Sequence, residues 1–236
     1  MTTRSKLIVG ALALVFLAAS VDQALAGPIG DTGKLWQTRQ DHYYDTSYGG
    51  GEITVFGYTG LNNAGYTAAS SDIGTPDPSF QTFCLEAGEY TTNPLYFVIG
   101  SAAVKGGTGS SDPLSQGTAW LYSQFVAGTL SGYDYDASAV ARLASARQLQ
   151  EAIWYLEGES GGVNNAFVFA ATPHGGAADA SAGYLGVYAL NNYFEEGHTT
   201  LKQDFLYYSV PDGGTTLMLL GGALMGLGAL RRKFDA

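Results

Sequence analysis

The sequence predicts an α+β fold, with strands flanking two helices and a targeting segment at each end. Three observations predict it. Short runs of β-branched and aromatic residues recur between turn formers, a long central stretch carries a helical apolar period, and both termini place an apolar run beside basic residues.

At the amino end, Arg4 and Lys6 precede the apolar run Leu7 to Ala19, and Ala24-Leu25-Ala26 supplies a small-x-small pattern before Gly27. This predicts a secretory signal peptide over residues 1–26, cleaved by signal peptidase between Ala26 and Gly27. The apolar run is shorter than the ~20 residues of a spanning helix, which favours a cleaved signal over a retained anchor.

At the carboxyl end, Val210-Pro211-Asp212-Gly213-Gly214 leads into the apolar and glycine-rich stretch Thr215 to Leu230, then into Arg231-Arg232-Lys233. As a helix that stretch spans roughly 24 Å against a ~30 Å hydrocarbon core, and snorkelling by the basic end extends its reach. A transient transmembrane helix is therefore expected over this tail, with the basic end in the cytoplasm and everything before Val210 outside. The order of short motif, apolar helix and basic end resembles the PEP-CTERM class of sorting signals, with Pro211-Asp212-Gly213 in place of Pro-Glu-Pro, similar to the Val-Pro-Asp variants. The resemblance covers residues 210–236. It implies processing by an exosortase in the envelope of a Gram-negative bacterium that makes exopolysaccharide.

Residues 27–209 remain as one expected domain, long enough to bury a real core. It holds six basic residues against eighteen acidic ones, a net charge of −12. Such a field repels nucleic acid and anionic lipid, and attracts amines, basic surfaces and divalent cations. Strands are expected at Glu52 to Tyr58, Gln81 to Glu86, Leu95 to Ile99, Asn165 to Ala170 and Phe205 to Val210. Ser47 to Gly51 and Lys105 to Asp112 read as loops, and Ala177 to Tyr193 fits helix and strand equally.

Asp112-Pro113 reads as the start of a first helix, through Trp120 and Phe125. A second helix runs from about Ala137 to Leu156, with Gly158 to stop it. Its residues Val140, Leu143, Ala146, Leu149, Ile153 and Trp154 share one arc, and Gln150 falls inside that arc. An inward amide without partners costs about 1 to 3 kcal/mol, so Gln150 requires hydrogen-bonding or covalent partners.

Cys84 is the only cysteine. In an oxidising compartment it has no intrachain disulfide partner, which leaves a small buried hydrophobe, an intermolecular link or a reactive thiol. Strand alternation sets it with Thr82 and Glu86 on the face opposite Phe83 and Leu85, so the thiol need not share the main core.

Phe83-Cys84-Leu85 and Gln150-Glu151-Ala152-Ile153-Trp154 together resemble the thioester domain family of bacterial surface adhesins, the second motif being the more specific. Leu85 and Leu149 stand where tyrosine and threonine are common in that family. Ala119 to Phe125 is similar to a segment that precedes the glutamine helix in tailed relatives. The resemblance implies a β-sandwich or barrel portion with an inserted helical portion carrying Gln150, and an internal Cys84–Gln150 thioester that captures an amine or hydroxyl nucleophile. Phe83 and Trp154 are the candidates for excluding water from that bond.

Such capture is single-turnover covalent attachment, not enzymatic turnover, and needs no cofactor or metal. The partner would be a surface or matrix nucleophile, exopolysaccharide among the possibilities. Two other classes compete: a non-covalent structural or carbohydrate-binding matrix protein, and a Cys-His hydrolase using Cys84 with His42, His174 or His198. Asp134 with Asp136, or Asp72 with Asp77, has the chemistry for calcium, but no EF-hand spacing accompanies them.

Overall fold

The computed structural model describes residues 28–39, 43–46, 49–61, 78–104, 111–135 and 139–209, all within one compact unit. The signal cleavage pair Ala26 and Gly27, the sorting motif Val210 to Gly214, the basic end Arg231 to Lys233 and the expected membrane helix lie outside the described residues. Among the described residues, no helix is long and apolar enough to cross a membrane.

The central feature is a six-stranded antiparallel sheet. Its strands are β1 (Thr32–Thr38), β4 (Ile53–Thr59), β5 (Ser79–Thr82), β6 (Leu95–Gly100), β9 (Val187–Tyr193) and β10 (Leu201–Tyr208), in the order β10-β9-β6-β1-β4-β5. Alternation explains β6: Leu95, Phe97 and Ile99 are buried and the residues between them half-buried. Two short hairpins accompany the sheet, β2 (Tyr44–Asp45) with β3 (Gly50–Gly51), and β7 (Ala102–Ala103) with β8 (Asp112–Pro113).

The sheet curls until its outer strands meet. Past Thr82 the chain leaves β4 and bridges β10, with Cys84 opposite Phe205. Leu85 N–H donates to Asp204 O at 3.0 Å, Leu206 N–H to Phe83 O at 3.2 Å, and Thr82 Oγ1 to Leu206 O at 2.6 Å. These bonds join the two ends of the sheet at one point, as closed sheets do with their unpaired backbone groups.

Among the described residues, three α-helices lie between β8 and β9 in the sequence: α1 (Gln116–Val126), α2 (Ala139–Leu156) and α3 (Ala166–Ala171). α1 starts later than its proline suggests. Asp112 and Pro113 pair with Ala103 and Ala102, and Ser115 caps the helix by accepting Thr118 N–H at 3.1 Å. Tyr122 on α1 is fully buried and donates to Gln81 O at 2.9 Å, tying the helix to the sheet. α2 ends at Gly158, whose φ of +76° glycine adopts without strain.

Several sequence expectations are corrected. Asn165 to Ala170 is helical rather than extended, because Asn165 caps the turn by accepting Phe167 N–H at 3.0 Å and the apolar run then buries Phe167, Val168 and Ala171 along one face. A six-residue apolar run carries no period that separates helix from strand. Gly50 and Gly51, expected in a loop, form β3, and Ala177 to Tyr193 resolves into a 3₁₀ turn (Tyr184–Gly186) followed by β9.

On α2, Val140 is 83% exposed while Arg142 is buried. The arginine is inward because Glu52, fully buried, meets it with two hydrogen bonds, Nε–Oε1 at 2.8 Å and Nη2–Oε2 at 2.9 Å. Tyr133 donates to the same carboxylate, and the Tyr43 ring faces the guanidinium at 4.3 Å. Arg142→Met would leave the Glu52 charge buried and uncompensated, so a loss of about 3–5 kcal/mol is expected in urea unfolding.

The start of α1 is fastened to the end of α2 through Glu157, whose Oε1 accepts Ser115 N–H at 3.1 Å and Ser115 Oγ at 2.7 Å. Burial raises the Glu157 carboxyl from 4.5 to about 7, against the hydrogen bonds, which lower it. A carboxyl raised in the folded state supports stability fully below its unfolded value and loses that support as pH rises through the folded one. Glu157→Gln is therefore expected to flatten the fall in melting temperature between pH 4.5 and about 7.

Candidate functional site

Cys84 and Gln150, 66 residues apart, are in direct contact. Cys84 N–H donates to Gln150 Oε1 at 2.9 Å, and Gln150 Nε2 donates to Cys84 O at 2.8 Å. The cause lies in the closing bridge. The flanking bonds to β10 are made by Phe83 O and Leu85 N–H, so the Cys84 N–H and C=O face the other way, where β4 has already ended. The Gln150 carboxamide, one donor and one acceptor in a plane, takes the place of the missing strand. α2 delivers it there from a fully buried position.

Cys84 is buried alongside Phe83 and Leu85, so the thiol, which alternation left free to stand apart, does share the core. Both faces of this segment are covered, so alternation does not sort inside from outside. Phe83 packs edge-on against Phe125 with ring centroids 5.0 Å apart. Trp154, one turn beyond Gln150, lines with Cys84 a cleft of about 830 Å³; Phe83 does not line it. Arg39, Tyr44, Glu89 and Tyr90 complete the part of the wall that bears charge or aromatic surface.

The β2–β3 hairpin covers the glutamine from the other side. A Cβ on Gly50 would stand 2.8 Å from Gln150 Cγ and 3.1 Å from the Trp154 ring. Glycine is required there by close approach. Arg147 holds the hairpin to α2, reaching Asp45 at 3.4 Å and Glu151 at 3.0 Å.

Burial pushes the Cys84 thiol well above its ordinary value, and the nearby Glu86 charge adds to the rise, while Arg39 opposes it. Tyr44 is raised in the same way, by burial and then by Cys84. Glu86 and Asp204 are both raised, chiefly by burial; the neighbouring acids add to this, Asp204 and Glu89 for Glu86, and Glu89 for Asp204. Of the described histidines, His174 stacks on Trp120 at 4.1 Å and His198 sits beside Tyr193 at 4.9 Å; neither lines the cleft. His42, Asp72, Asp77 and Asp136 lie outside the described residues, and Asp134 N–H is engaged by Ser145 Oγ at 3.1 Å.

Sequence reasoning did not find the acids Glu86, Glu89 and Asp204, whose ligand oxygens all lie within 4.8 Å of one another. No spacing announces them, since they converge only when β10 bridges the Cys84 segment. Nor did it find Gly50, for which the run Gly49-Gly50-Gly51 was the available signal.

Residues 209–234 match the family described as the VPDSG-CTERM motif, where this chain reads Val210-Pro211-Asp212-Gly213-Gly214. The motif fits a PEP-CTERM-like tail and points to an exported protein, processed by an exosortase for display at the cell envelope, cell surface or matrix. No curated protein and no solved structure matches the chain.

Gly50→Ala places a methyl group against Gln150 and Trp154. Overpacking of this kind costs about 1–3 kcal/mol, and the variant is expected to unfold at correspondingly lower denaturant concentration.

Proposed function

We propose that residues 27–209 form a thioester domain, a single-use covalent trap presented outside the cell by the sorting tail. In the first step the Cys84 sulfur attacks Gln150 Cδ. A C–S bond forms, the C–N bond breaks, and the thiol proton leaves with ammonia. In the second step an amine or hydroxyl enters from the cleft and attacks the same carbon. The C–S bond breaks, the nucleophile's proton passes to sulfur, and the target is left on the Gln150 side chain as an amide or ester.

The observation that carries this reading is the reciprocal hydrogen-bonded pair between the Gln150 carboxamide and the Cys84 peptide. It holds the electrophile beside the residue that bears the nucleophile, and well-oriented intramolecular pairs reach effective concentrations on the order of 10⁵–10⁸ M. Cys84 N–H already points at Oε1, the atom on which negative charge grows during attack, and one such donor is worth roughly 10²–10³-fold in rate. A raised thiol argues that proximity and this donor, rather than a standing thiolate, would drive the condensation. Trp154 and the Gly50 hairpin, packed over Gln150, would keep bulk water from the acyl carbon. The acidic surface favours amines as the captured group.

Intact mass spectrometry of the protein recovered after export tests the proposal. The expected mass is lower than the sequence mass by one ammonia, and methylamine then adds one methylamine. Cys84→Ala shows neither change, although it keeps both hydrogen bonds, which use only the backbone of residue 84. Full mass with one thiol titrating on unfolding would overturn the trap, leaving non-covalent carbohydrate binding in the aromatic cleft.

A further inference from the structure

We infer that Glu86, Glu89 and Asp204 form a binding site for a hard divalent cation of the calcium type, placed behind the strand segment that carries Cys84. The site is independent of whether the thioester forms.

One oxygen from each carboxyl lies within 4.8 Å of the other two. Calcium takes oxygen ligands at about 2.3–2.6 Å, so two oxygens on one ion are separated by at most about twice that distance. The three carboxyls therefore already stand within the span that one ion bridges. Zinc and the softer metals prefer nitrogen and sulfur, and this donor set is all oxygen.

A second observation concerns Glu86 itself. The residue is 3% exposed. Its Oε2 accepts Asp204 N–H at 3.2 Å and Gln203 Nε2 at 3.3 Å, but Oε1 has no hydrogen-bond partner. A buried acceptor left unpaired is costly, and a cation shared with Asp204, whose carboxyl hydrogen-bonds that of Glu86, would satisfy it. The charged side chains that act on Glu86 are the two other acids.

Asp204 is set as a ligand by its surroundings. Its Oδ1 accepts Asn192 N–H at 2.7 Å and Oδ2 accepts Val104 N–H at 3.1 Å, which fix the carboxyl while leaving each oxygen a further lone pair. Glu89 lines the cleft and gives the ion a path from solvent, and water arriving by that path would fill the remaining coordination positions. A bound ion would tie the Cys84 segment to β10 at the point where the sheet closes, and so stiffen the backbone that Gln150 pairs with.

Terbium luminescence, sensitised through Tyr90 and Trp154 of the cleft, and calorimetric titration with calcium chloride test the site in the full chain. Saturable binding is expected, with a dissociation constant of about 10⁻⁴–10⁻³ M, as for extracellular modules, together with a rise in melting temperature that EDTA reverses. Glu89→Gln, at a half-buried loop position, is expected to weaken calcium at least tenfold without loss of the fold. Absence of saturable heat and terbium signal up to about 10 mM calcium, well above the weakest such sites, would overturn the proposal. So would binding that Glu89→Gln leaves unchanged. Ammonia loss by mass is read separately on the same samples, so failure of the cation site and failure of the thioester are told apart.

Discussion

The arrangement depends on one exchange of hydrogen bonds, in which a side-chain amide stands in for a strand. Where the curled sheet closes, the Cys84 segment has β10 on one side and, among the described residues, no strand on the other. Its free peptide groups are buried, and a buried unpaired N–H or C=O costs about as much as a lost hydrogen bond. Gln150 supplies both partners at 2.8–2.9 Å. Closure of the sheet, the docking of α2 and the covering of Gln150 by Gly50 are thus one problem solved together, because α2 is seated only where the glutamine reaches the gap.

That coupling explains why charged groups are inward near the site. Glu52, immediately before β4, meets Arg142, two turns before Gln150 on α2, and Arg147 grips Asp45 and Glu151. The Glu52–Arg142 pair is buried, and such a pair, though strongly destabilising to break, adds little net stability over apolar residues of the same volume. Here its two hydrogen bonds tie α2 to the residue before β4, two turns from Gln150. The aromatic residues Tyr43 and Tyr133 around the guanidinium keep that pair dry.

Much of this was legible from residue types, though not always for the right reason. The inward direction of Gln150 followed from the helical arc, yet Val140 on that arc is exposed, and Arg142, which charge alone would send to solvent, is buried. Periodicity reads burial of apolar groups and is blind to a buried ion pair, whose partner is 90 residues away. Five strands were expected and four of them occur near their expected places, whereas Asn165 to Ala170 became a helix because a single cap outweighs the extended preference of a short aromatic run. β1 and the acidic trio were silent, the first for want of clean alternation and the second because topology alone assembles it.

The structural role of the pair bears on the chemical role proposed for it. Completing the sheet requires the carboxamide of Gln150 but only the backbone of residue 84, so alanine or serine would close the gap equally well. What that role leaves unexplained is a sulfur there, in a chain with no other cysteine, lining the wall of a cleft about 830 Å³ in volume. An inert thiol is ordinarily a space-filler within a core, whereas this one borders a polar opening and sits on the residue whose N–H polarises an amide carbonyl. Serine would place a harder and poorer nucleophile there, and an oxygen ester would be less reactive toward amines than a thioester. Under the proposed trap, cysteine is the residue for which reciprocal pairing, burial and an open cleft have a joint purpose, since the acyl group would be made in shelter and released to whatever enters.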